Sequence, residues 1–198
     1  MTNTSAFDAP LTLAPDAVLI VIDVQQGFDD EEFWGPRDNP DAEKRMVRLI
    51  ESWQATGRPI VTVQHASTAG PLVAGTPGYE LKPEIAAVEP DLHIVKSVNS
   101  AFYGTPDLHE WLQARGAGQL VITGIMTNVC NEVTARMGGN LGYDVIFPAD
   151  AMHTFAMAGP DGGLIPATEL ARATSAVLHT ARFAKVVTTD AVLAATGA

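Results

Sequence analysis

Three side chains in this sequence have the right types for covalent acyl chemistry: the carboxylate of Asp23, the amine of Lys96 and the single thiol, Cys130. Asp23 closes the apolar run of "VLIVIDVQQGF", Lys96 closes that of "LHIVKSVNSAFYG", and Cys130 comes shortly after "QLVITGI", within "GIMTNVCNEVTAR". Free backbone N–H groups at a helix start, or a nearby cation, lower a thiol's pKa and favour the nucleophilic thiolate. The same N–H groups can hold the oxyanion of an attacked carbonyl. A carboxylate beside the thiol can take its proton and return it to a leaving amine. On three separate strand ends these residues form a constellation for acyl transfer through a thioester, with Lys96 holding the charges in register and stabilising the thiolate. Each has a plainer reading alone: Asp23 as a cap or turn, Lys96 as a side chain snorkelling to the surface, Cys130 as a small buried hydrophobe.

Such a site requires strands that end together. Apolar runs at 17–24, 59–65, 92–97, 119–125, 143–150 and 184–189 each predict a strand. They are too continuous in Val, Ile and Leu for a sheet with one wet face, and so predict a parallel sheet covered on both sides. Helices alternate with them. Asn39-Pro40-Asp41 predicts a helix start, with Met46, Val47, Ile50 and Trp53 on its apolar face and Gly57 at its end. Thr105-Pro106-Asp107 predicts a second start, Leu108, Trp111 and Leu112 its stripe, and Gly116 its stop. A third helix starts near Thr127, and a last one, at about 167–183, is predicted to bury Leu170, Ala173, Thr174, Val177, Leu178 and Ala181. The alternation predicts a single α/β domain over 1–198, with ligands beyond the carboxyl ends of the strands. The segment 66–91, weak in periodicity, predicts a loop over that edge, a candidate lid. Gly138-Gly139 predicts the close approach of another helix, with a subunit interface as one possibility.

Composition narrows the partners. With 12 Lys and Arg against 23 Asp and Glu, the net charge is −11. No basic cluster offers itself to a nucleic-acid backbone. One cysteine among 198 residues cannot form an internal disulfide, which fits a reducing, cytoplasmic setting. "MTNTSAFDAPLTLAPDA" lacks the pattern of a secretory leader, and no apolar run reaches the ~20 residues that span a bilayer.

The same residues carry a resemblance. The chain resembles the isochorismatase-like cysteine hydrolases, a superfamily that includes nicotinamidase, N-carbamoylsarcosine amidohydrolase and ureidoacrylate amidohydrolase. The matching stretches are "VLIVIDVQQGF", "VTVQH", "GTPGYELKPEI", "VKSVNSAFYGT", "LVITGIMTNVCNEVTARMGGNLGYDV" and "PADAMHTF". The resemblance implies a three-layer αβα fold with a six-stranded, mostly parallel sheet and a catalytic triad of Asp23, Lys96 and Cys130. It also implies a cis peptide between Ile125 and Met126, with the Met126 and Cys130 N–H groups as oxyanion hole, and a homo-oligomer. Nicotinamidases carry an Asp-x-His metal motif after the second strand; here "VQHASTAG" has His65 without that Asp, so no metal or other cofactor is expected. His93, His109 and His179 read as surface or packing residues. Members acting on vinyl ethers lack the cysteine, and the "TARMGGNLGYDV" tail resembles a streptothricin hydrolase subgroup that opens a lactam.

The resemblance places substrate-binding residues at Gln25, Phe28, Trp34, His65, Asn99, Tyr103, Thr127, His153 and Phe155, with Phe102 and Met126 nearby. No arginine lies close to the triad, Arg37 and Arg136 being the nearest by motif. The expected substrate is therefore a neutral small amide, lactam or ureide. A vinyl-ether hydrolase and a non-catalytic, redox-sensing protein on the same fold stay open as alternatives.

Overall fold

The computed structural model describes residues 10–197, so the reading of the amino-terminal stretch falls partly outside the described residues. The strands are β1 Val18–Ile22, β2 Ile60–His65, β3 Leu92–Lys96, β4 Gln119–Ile125, β5 Asp144–Pro148, β6 Met152–His153, β7 Met157–Ala158, β8 Leu164–Ile165 and β9 Lys185–Val187. The helices are α1 Glu31–Trp34, α2 Ala42–Thr56, α3 Pro83–Ala86, α4 Leu108–Arg115, α5 Glu132–Asn140, α6 Ala167–Thr180 and α7 Thr189–Thr196. The main sheet runs β3-β2-β1-β4-β5-β9, all neighbours parallel, and β6 adds to the end of β4. The α/β architecture with a six-stranded parallel core is as the sequence predicts.

Both faces of the sheet are covered, which is why its central strands read as unbroken apolar runs. Leu19 and Val21 of β1 face a core shared with Met46 and Trp53 of α2. Val18, Ile20 and Ile22 face the opposite core, with Leu112 of α4, Ala135 of α5 and Leu178 of α6. Each such side chain contributes roughly 1.5–3 kcal/mol by burial. The edge strand β3 departs from this: His93 and Val95 are exposed while Ile94 and Lys96 are buried, because no helix covers its outer face there.

Several local expectations need correction. Helix α2 begins at Ala42 after Asp41, not at Pro40; Asn39 spends its amide on the Asp150 and Met152 carbonyls, both at 2.8 Å. Helix α4 is capped by Asp107, whose carboxylate accepts from Glu110 N–H at 2.9 Å, and Thr105 instead pairs with Val95 of the edge strand. Helix α6 buries only Ala167, Thr174 and Leu178; Ala173, Val177 and Ala181 face outward, so its contact with the sheet is a single narrow row. Gly138 and Gly139 make close contacts within the chain. A Cβ on Gly138 would lie 3.1 Å from Val145, and one on Gly139 2.6 Å from the Phe183 carbonyl. The segment 66–91 is pinned rather than free. Tyr79 O accepts from the side chains of both Gln25 and Gln64 at 2.7 Å, and Lys82 N–H donates to Val24 O at 2.9 Å.

Candidate active site

Four elements deliver the reactive groups to one point. Asp23 follows β1 directly, with its N–H on Val63 O at 2.8 Å and a left-handed φ of 55°. A non-glycine residue in that region costs about 1–2 kcal/mol and turns the chain sharply out of the sheet. His65 and Lys96 end β2 and β3 and are register partners, so their side chains stand together. Strand β4 must approach β1 closely to bring Cys130 alongside. Gly124 permits this: its φ is 137°, and a Cβ there would sit 2.0 Å from Ile22 O. The Ile125–Met126 peptide is cis. The chain then makes a π-helical turn over Thr127–Asn131 before α5 begins at Glu132. Cys130 therefore sits in a widened turn ahead of the helix, where the sequence predicted the first turn of the helix itself.

Lys96 is the hub. Its Nζ donates to Asp23 Oδ2 at 2.6 Å and to Cys130 Sγ at 3.4 Å, and it lies 3.0 Å from His65 Nδ1. The Lys96 and Asp23 side chains have no exposed surface. The Asp23, His65 and Cys130 ligand atoms lie within 4.8 Å of one another. Asp23 Oδ1 has no other partner among the described residues, so the neighbouring thiol is the one group placed to share it.

Burial dominates the protonation of this cluster. It pushes Asp23 above its ordinary value, against the pull of the Lys96 ammonium. Burial likewise pushes the Cys130 thiol well above its usual range, and the Asp23 charge adds to this while Lys96 opposes it. The resting sulfur is a thiol beside a carboxylate of raised basicity; burial and Asp23 outweigh the thiolate stabilisation that the sequence predicted from Lys96. His65 is held below its ordinary value by burial and by Lys96.

The cluster opens onto a cavity of about 280 Å³. Cys130, Asp23 and His65 form its reactive wall; Phe28, Trp34, Leu72, Met126, Val129 and Met157 make it largely apolar; Ser67 and Asn99 stand at it as neutral polar groups. A larger hollow of about 450 Å³ lies at the opposite end of the strands beside Pro15, Asp91 and Arg115, and no nucleophile lines it.

Comparison with known proteins identifies the family. The isochorismatase domain matches residues 17–191. The chain belongs to the isochorismatase family. It is 34% identical over 174 residues to the isochorismatase family protein YrdC of Bacillus subtilis, covering 87% of this chain and 91% of that one. A streptothricin hydrolase of Streptomyces noursei is 30% identical over 78% of this chain and 56% of its own length. A ureidoacrylate amidohydrolase, RutB, of Methylobacterium radiotolerans is 30% identical over 77% and 72%. Among solved structures, an isochorismatase-family protein of Chromobacterium violaceum superposes with a TM-score of 0.89 at 35% identity, covering 96% of this chain and 98% of that one.

In this isochorismatase-family hydrolase, the predicted wall residues Phe28, Trp34, His65 and Asn99 do line the cavity, with Met126. Gln25, Tyr103, Thr127, His153 and Phe155 do not. Gln25 clamps the His65 backbone, accepting from its N–H at 2.8 Å and donating to its carbonyl at 3.0 Å. Tyr103 is 68% exposed. Thr127 is buried, with its hydroxyl unpartnered among the described residues. His153 lies beneath the wall, 3.4 Å from Glu43, and Phe155 backs Phe28 and Trp34 in an aromatic stack. Phe102 stacks on Tyr143 instead. Ser67, Leu72, Val129 and Met157 were missed, since their placement depends on how the 66–91 segment, the π-helical turn and β7 fold back. Arg37 pairs with Asp29 and Glu43, and Arg136 with Glu132, so neither serves the cavity. The Asp23, His65 and Cys130 atoms have the spacing of a metal site, but the Lys96 ammonium already contacts all three. A divalent cation would compete with that charge for the same atoms, so the donor set does not fit a metal.

Proposed function

We propose that this hydrolase is a cysteine-dependent amidohydrolase acting on a small, uncharged amide, lactam or ureide outside the peptide class. One observation carries the reading: a single buried ammonium, Lys96, holds both the Asp23 carboxylate and the Cys130 sulfur on the wall of the same cavity. The relatives named as ureidoacrylate amidohydrolase and streptothricin hydrolase point the same way.

The thiol proton passes to Asp23 as sulfur bonds to the substrate carbonyl carbon, giving a tetrahedral oxyanion on the Met126 and Cys130 N–H groups. Asp23 then gives the proton to the nitrogen as the carbon–nitrogen bond breaks, and an amine or ammonia leaves. Water next attacks the thioester and yields a proton to Asp23. The sulfur–carbon bond breaks, and the thiol recovers the proton as the acid product departs. Lys96 keeps the carboxylate and the sulfur in contact throughout. A raised thiol pKa fits concerted proton transfer to Asp23 better than a standing thiolate.

A homo-oligomer and a cytoplasmic setting belong to the same proposal, and sedimentation of the purified chain tests the former. Among the described residues no helix is long and apolar enough to cross a membrane. The function is tested by an ammonia-release screen over small amides, lactams and ureides with Cys130→Ser as control. Turnover that disappears in the variant supports it. Ammonia release that survives at the wild-type rate without the thiol would overturn the cysteine-dependent reading.

A further inference from the structure

We propose that His65 is the specificity residue of this site: a neutral imidazole fixed with its Nε2–H available to the cavity, selecting uncharged substrates that carry a hydrogen-bond acceptor beside the scissile carbonyl. This rests on the amidohydrolase reading and adds a substrate class to it.

The tautomer follows from counting protons. An ammonium has three N–H bonds and no acceptor. The Lys96 ammonium has three neighbours: Asp23 Oδ2 at 2.6 Å, His65 Nδ1 at 3.0 Å and Cys130 Sγ at 3.4 Å. His65 Nδ1 must therefore accept, and a neutral ring then carries its proton on Nε2. Burial and the Lys96 charge both disfavour the imidazolium, so the ring keeps this form. No described residue accepts from Nε2, while His65 itself lines the cavity. The ring is also rigidly presented. Gln25 grips its backbone on both sides, at 2.8 and 3.0 Å, and its strand is in register with that of Lys96.

The consequence is a cavity with a fixed donor and no spare cation. The Lys96 charge is committed to Asp23, and Arg37 and Arg136 are paired elsewhere. A carboxylate on the substrate would meet only neutral donors, from His65, Ser67 and Asn99, and the field of Asp23. A carbonyl or ether oxygen would satisfy Nε2–H without bringing in charge, and the remaining bulk would rest on Phe28, Leu72 and Met157. Polar groups positioned in this way reject analogues that leave them unpaired.

Two measurements on the full chain decide it. In long-range ¹H–¹⁵N correlation spectra, with the His65 signals assigned by their loss in His65→Gln, the ring is expected as the neutral Nε2–H tautomer at neutral pH. An Nδ1–H tautomer or an imidazolium overturns the proposal, and this result does not depend on any amidase activity. For the kinetic arm, an amide from the ammonia screen is compared with its analogue in which the neighbouring acceptor oxygen is absent, starting with 2-oxobutanamide and butanamide. His65→Leu is expected to lower the ratio of their kcat/KM values by ~30-fold or more, and His65→Gln, which keeps an N–H donor at similar reach, to recover most of it. An unchanged ratio in His65→Leu, or a screen whose substrates all lack such an acceptor, overturns the assignment. No hydrolysis of any amide by the wild type is instead a failure of the amidohydrolase reading, and the spectra still decide the state of the ring.

Discussion

Lys82 and Lys96 are both more than nine-tenths buried, and both donate to carboxylates near the carboxyl ends of the strands. Around Lys82 the charges close on themselves. Its Nζ is 2.7 Å from Asp29 and 2.6 Å from Glu43, Arg37 pairs with the same two acids, and His153 adds to Glu43. Burial alone would raise both acids, but Lys82 and Arg37 outweigh it at Asp29, and His153 and Lys82 at Glu43, so Asp29 is held below its ordinary value and Glu43 well below. Around Lys96 the cation is shared between one carboxylate, a sulfur and a ring nitrogen, and burial prevails, so Asp23 and Cys130 are both raised. Charge complementarity turned inward holds structure together. The same kind of lysine given one carboxylate and two neutral partners leaves that carboxylate able to take a proton at a cavity wall.

The largest expected effect breaks the contrast at the reactive end. Cys130→Ala should lower turnover of the substrate found by screening by ~10⁴-fold or more, while thermal unfolding shifts by only a few degrees; full activity in the variant would undo the account. Next is Lys82→Met, which leaves Arg37 as the remaining cation shared by Asp29 and Glu43. It should destabilise the fold by about 3 kcal/mol, toward the low end for a broken buried pair because Asp29 is half exposed. Chemical denaturation measures this, and the folded fraction should retain its kcat. A large loss of kcat with little loss of stability would show that the two lysines do not divide their roles in this way.

The smallest effect is in the acid limb. Asp29 and Glu43 bind protons more weakly folded than unfolded. Their stabilisation is thus fully present above the ordinary carboxylate range and is lost as pH falls through their folded values. Asp23 has the opposite sign, because its folded value is raised. Wild-type stability should therefore drop by about 1–2 kcal/mol more than that of Lys82→Met as pH is lowered below ~4. Parallel slopes in the two proteins would contradict it.

Much of this was legible in the sequence because the site sits where elements end. Asp23, Lys96 and Cys130 each interrupt or follow an apolar run, and a parallel sheet gathers such ends at one edge. Phe28, Trp34 and His65, which the resemblance rather than the strand ends implies, also line the cavity. What escaped was set by tertiary folding back. Gln25 reads like a pocket residue by position, yet its amide is consumed by the His65 backbone. His153 and Phe155 lie one layer too deep, behind the wall they were expected to form. The strand expected at 184–189 stops at Val187, and helix α7 beyond it has no counterpart in the sequence reading, although Thr188 is a recognisable cap, its hydroxyl accepting from Ala191 N–H at 3.2 Å. The α6 stripe was overcounted because helical periodicity gives the direction of the apolar face and not how wide a surface it meets.

The central claim is that Cys130 becomes acylated. Rapid quenching during turnover of an amide substrate, followed by intact-mass and peptide mass spectrometry, tests it directly. An adduct of the acyl fragment's mass is expected on the Cys130 peptide, formed on the timescale of the first turnover and absent in Cys130→Ser. Sustained turnover with no adduct on Cys130, or an adduct on another residue that decays at the turnover rate, would contradict it.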